Sequence, residues 1–194
     1  MTALQAVFIV FSVLVMVLPF VGAPGRPAIS LFRIVVNAAF ALAAGAGLLM
    51  AVAQMAIIVT RNVFEVSFIW FEEIPFYLFG VMFLLSGGAI LLMDAHVRVD
   101  VLYSKWTEKR QRLVDLLGLY LFTAPFGALI MIAAVPFVAR AAGDGALNPG
   151  GIPGVLYLKA LIPLFGLTVV LASAVRASDL LSGNAPHAEH EVGV

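Results

Sequence analysis

Apolar residues in this chain come mostly in long runs, which predicts helices, while the alternation over Asp94–Asp100 suggests a short extended stretch or a helix end. Five runs approach the roughly 20 residues that cross a bilayer, at about 3–22, 34–60, 75–93, 113–139 and 155–175. The predicted fold is therefore all-α, a polytopic transmembrane helical protein. The turn-rich Gly22-Ala23-Pro24-Gly25-Arg26-Pro27 sets the first run apart from the rest. That run is longer than the roughly 7–15 apolar residues of a signal-peptide core, and no Lys or Arg precedes it, so it reads as a span. Only Val21-Gly22-Ala23 resembles a cleavage site.

Polar residues gather at the ends of the third run. Before it stand Arg61, Glu65, Trp70, Glu72 and Glu73, and after it His96, Arg98 and Asp100. Carboxylates beside a membrane-length run are costly unless paired, so they point to a partner or a pathway. Residues 61–74 predict a short interfacial helix, with Phe64, Phe68 and Phe71 on one face, Arg61 within reach of Glu65, and Trp70 at headgroup level. Pro75 is expected in the first turn of the next helix, with Glu72 and Glu73 at its positive end. Those two carboxylates can be a solvated helix start, salt-bridge partners of another subunit, or an ion relay.

Small residues mark the places where helices can approach closely. Ala39, Ala43, Gly47 and Ala51 recur every four positions in the second run, and Gly87 and Gly88 interrupt the third. The first set fits packing within the chain or a seam for a second subunit. Thr107 is the expected cap of the fourth helix, with Glu108 in its first turn, and Pro125 and Pro136 are expected to kink it. Lys159 can snorkel from the start of the fifth.

Composition agrees with this pattern: 63% of residues are hydrophobic and 11% charged, with mean hydropathy +1.10. A soluble domain carries about 25% charged residues. The net charge of zero gives no footprint for nucleic acid. The chain has no cysteine, hence no disulfide and no thiolate ligand. No histidine falls inside a span, so neither a nucleophile–base pair nor axial haem ligands can be assembled there. Asp94, His96 and Asp100 beside Arg98 make a poor metal set. The reading is a helical membrane protein without a reaction centre of its own, with no catalytic, cofactor or metal residues to name. Eight of the eleven basic residues fall on one side if the N-terminus is outside and the C-terminus inside. Residues 182–194 read as a disordered cytoplasmic tail.

The order of Arg61, Trp70 and Glu72-Glu73, a glycine-bearing span, then His96-Val97-Arg98-Val99-Asp100 and a basic stretch resembles the small permease subunit of tripartite ATP-independent periplasmic (TRAP) transporters, the DctQ-like family. The resemblance covers roughly residues 34–181, and its sharpest piece is His-Val-Arg-Val-Asp. Pro149-Gly150-Gly151-Ile152-Pro153 and Lys159-Ala160-Leu161-Ile162-Pro163 further resemble the subgroup associated with mannitol, chloroaromatic or 2-oxo acid uptake. It implies a four-helix family core within 23–181, with residues 1–22 as an extra N-terminal helix. It also implies a multi-pass subunit of the bacterial inner membrane, N-terminus periplasmic and C-terminus cytoplasmic, in a sodium-coupled importer of organic acids. The partners would be a large permease (M) that holds the sodium sites, a periplasmic substrate-binding (P) protein and membrane lipids. This chain would brace the large permease, with Arg61, Trp70, Glu72 and Glu73 as anchors at one face and His96, Arg98 and Asp100 at the other. A stand-alone membrane assembly protein is the alternative.

Overall fold

The computed structural model describes residues 3–21, 26–93, 106–144 and 154–182. Helix α1 (Ala3–Val17) runs into a 3₁₀ turn at Leu18–Phe20. Helix α2 (Arg26–Val63) and α3 (Ile69–Leu92) follow. Helix α4 (Glu108–Gly118) passes through a π-helical turn (Leu119–Thr123) into α5 (Ala124–Asp144), and α6 spans Gly154–Ser182. No strand occurs among the described residues. Among the described residues, five helices are long and apolar enough to cross a membrane, the α4–α5 unit counting as one.

Local sequence explains the breaks. Pro19 lacks an N–H and cannot continue α1, and the chain tightens so that Val21 N–H donates to the Leu18 carbonyl at 3.1 Å. α2 ends where Glu65 takes a left-handed conformation, φ 56°. The N–H groups of Phe64 and Val66 then both reach the Thr60 carbonyl, at 3.2 and 3.3 Å. A non-glycine residue there costs about 1–2 kcal/mol. The π turn lies directly before Pro125, whose ring would meet the Leu121 carbonyl in a regular helix, and widening the turn relieves that clash. Thr107 is indeed the N-cap residue of α4, but its hydroxyl makes no capping bond. Its carbonyl accepts from Arg110 N–H at 2.8 Å and Gln111 N–H at 3.0 Å.

Helix α6 is the centre of the bundle. Residues Val169 to Ala177 are buried on every side, and burial all round a helix marks a position enclosed by other helices. Val170, Leu171, Ala172, Ala174 and Val175 pack with Val15 of α1, Ile29 and Val36 of α2 and Ala89 of α3. Two glycine contacts set the spacing. A Cβ on Gly88 of α3 would sit 2.7 Å from the Thr168 carbonyl oxygen of α6, and one on Gly166 of α6 would sit 2.6 Å from the Gly127 oxygen of α5.

The structure differs from the sequence expectations at several boundaries. The 61–74 segment forms no interfacial helix of its own. Arg61 to Val63 complete α2, Phe64 to Phe68 are a non-helical connector, and α3 already begins at Ile69. The left-handed Glu65 ends the helical periodicity, so the predicted face of Phe64, Phe68 and Phe71 does not form, and Arg61 and Glu65 make no ion pair. Pro75 accordingly lies inside α3, beyond its first turn. α2 starts at Arg26 and α6 runs on to Ser182, because helices continue through the polar interface after the apolar run stops.

Candidate functional site

The charged side chains of the described residues collect at the two ends of the bundle. At one end, the α2–α3 connector presents Arg61, Glu65, Trp70 and Glu72, all exposed, with Glu73 half-buried. Glu72 is in the first turn of α3, where the helix dipole favours a carboxylate. The Ser67 hydroxyl donates to it at 2.8 Å, which fixes the side chain against the connector. Trp70 is flanked by Phe68 and Phe71, with ring centroids 6.2 and 5.6 Å away. Lys159 at the start of α6 places its ammonium 4.5 Å above the Phe137 ring of α5.

At the opposite end, Arg33 Nη2 of α2 donates to both carboxylate oxygens of Asp179 of α6, at 2.6 and 2.8 Å. Asp179 is mostly enclosed while Arg33 is half exposed, so the pair spans the edge of the packed region. Arg176, one turn earlier, is buried at 4% exposure. Nearby, the Tyr120 hydroxyl in the π turn donates to the Met16 carbonyl at 2.9 Å, and its ring lies 5.5 Å from Phe20. Between the ends, Gln5 of α1 donates to the Ile132 carbonyl of α5 at 3.4 Å, and several hydroxyls are spent on their own helices. Ser12, Thr60 and Ser173 hydroxyls each donate to the carbonyl four residues back at 2.8 Å.

The small-residue positions fall in different places. Ala39 and Ala43 are buried beside Leu85 of α3, whereas Ala51 is exposed. Gly47 faces the Met82 sulfur, Gly87 faces the Phe165 ring, and Gly88 faces the α6 backbone. His96, Arg98 and Asp100 lie outside the described residues, as do Asp94, the Pro149–Pro153 loop and the tail from 183 onward. Sequence reasoning did not find the Arg33–Asp179 pair. The available signal was Arg176 and Asp179 three residues apart at the end of an apolar run whose Leu180-Leu181 continues the helix.

The chain matches the family described as tripartite ATP-independent periplasmic transporters, DctQ component, over residues 50–183, more than half its length. The chain belongs to the DctQ family. DctQ is a transporter component and not an enzyme family, so this is the small membrane subunit of a TRAP transporter, a multi-pass membrane protein that works with other components of that system. No curated protein and no solved structure matches the chain. The DctQ match begins within α2, so α1 and the part of α2 carrying Arg33, Ala39, Ala43 and Gly47 precede it, while Asp179 lies inside it.

Proposed function

We propose that this DctQ chain is the scaffold of a sodium-coupled, binding-protein-dependent importer of organic acids in the bacterial inner membrane. It braces a large permease that holds the sodium and substrate sites, takes no cofactor of its own, and receives substrate through a periplasmic binding protein. The observation that carries this is how the bundle uses its polar groups. Arg33 and Asp179 lock α2 to α6, and the Ser12, Thr60 and Ser173 hydroxyls bond their own helices, which favours rigidity over a pathway. The basic bias supports a cytoplasmic Arg33–Asp179 end and a periplasmic Glu72 end. The loop resemblance is to the subgroup associated with mannitol, chloroaromatic or 2-oxo acid uptake, of which the acids fit this reading.

On this reading Trp70, Glu72 and Glu73 anchor the large permease at the periplasmic face. Replacing both Glu72 and Glu73 with Ala is expected to reduce co-purification of the large permease by about tenfold, the scale of losing one charged contact. Unchanged co-purification and uptake would leave the pair as only a solvated helix start.

A further inference from the structure

We infer that α4 is an interfacial foot that binds anionic phospholipid headgroups. α5 has 21 residues, about 32 Å of helix at 1.5 Å per residue, which by itself covers a hydrocarbon core of about 30 Å. The 11 residues of α4 are surplus to that crossing. They are also too polar to sit in hydrocarbon, since Glu108, Lys109, Arg110, Arg112 and Asp115 all fall within them. The π turn is the joint between the two parts.

The packing of α4 leaves one arc open. Leu116 is turned inward, where it meets the cluster of Leu119, Ala177 and Leu180 at the end of α6. The other arc is exposed and graded along the axis. Trp106 and the cations Lys109 and Arg110 stand at the end away from the π turn, and Leu113 and Leu117 stand toward it, at 58% and 55% exposure. Lys109, Leu113 and Leu117 follow at four-residue intervals, so they share one side of the helix. Cations and an indole at the outer end with leucines toward the acyl chains are the arrangement of a helix end that emerges from the acyl chains into the headgroup layer. Two exposed cations select anionic over zwitterionic headgroups. Asp115, the carboxylate on α4 whose side chain is described, is half-buried instead of facing the open arc. The occupant is thus a lipid surface, and the inference stands on the geometry of α4 independently of the transport reading.

The test uses the full chain in nanodiscs with Trp70→Phe, which leaves Trp106 as the sole tryptophan of the original two. Its fluorescence is quenched by brominated phosphatidylglycerol or brominated phosphatidylcholine at equal mole fraction. The expected result is several-fold stronger quenching by the anionic lipid. The preference should fall with either Lys109→Gln or Arg110→Gln, disappear with both, and weaken in 1 M salt. Equal quenching by both lipids would overturn the inference, as would a preference that survives the double substitution. Absence of quenching by either lipid would overturn it too, because protein would then cover the arc.

Discussion

Gly88→Ala is expected to destabilise the bundle by about 3 kcal/mol, the upper end of what overpacking a close-packed interior costs. The added methyl would lie 2.7 Å from the Thr168 carbonyl oxygen and 2.9 Å from its carbon. Both are backbone atoms of the central helix, so no rotamer change relieves the contact and α3 must move away from α6. Gly166→Ala should cost a similar amount, since its methyl would meet the Gly127 oxygen at 2.6 Å and the Met131 nitrogen at 2.9 Å. Between helices in lipid, close packing replaces the hydrophobic effect as the source of cohesion, so a forced separation is felt directly. Gly45→Ala is the control. Nothing lies within 4 Å of its Cβ position, and the change should raise helix propensity by about 1 kcal/mol. Thermal unfolding of the three variants in the same lipid nanodiscs gives the comparison. Similar midpoints for all three would refute the close-approach account.

Asp179→Ala is the second large effect, expected at about 1–2 kcal/mol. It removes two charge-assisted hydrogen bonds from Arg33. It also adds the cost of leaving a guanidinium at the edge of the packed region. The value stays below the 3–5 kcal/mol of a fully buried pair because Arg33 is half exposed. The decisive form is a double-mutant cycle with Arg33→Ala and Asp179→Ala, read from unfolding midpoints. A coupling near 1 kcal/mol or more is expected. Additive single effects would mean that the two side chains do not hold α2 to α6.

Much of the fold was legible because its cause is local. Runs of apolar residues dictate five spans, and Thr107 marks the start of α4 one residue before Glu108. The failures share a physical origin as well. The 61–74 segment has helical spacing of its aromatic residues, but the backbone of Glu65 turns left-handed and cancels that register, and nothing in a single glutamate announces it. The 38-residue length of α2 was hidden because Arg33 looks like a loop charge until its partner is known, and that partner is 146 positions away. The glycines were readable as sites of close approach. Which backbone each one meets was not, since Gly88 and Thr168 are brought together only by the packing of α3 on α6.

On the proposed reading this DctQ chain braces a transporter and does not itself transport. The direct measurement is sodium-driven uptake of a radiolabelled organic acid into proteoliposomes containing this chain alone, the large permease alone, or both, each with the periplasmic binding protein present. The account predicts uptake only when both membrane subunits are reconstituted together and a sodium gradient is imposed. Gradient-dependent uptake by vesicles that contain this chain as their only membrane protein would contradict it.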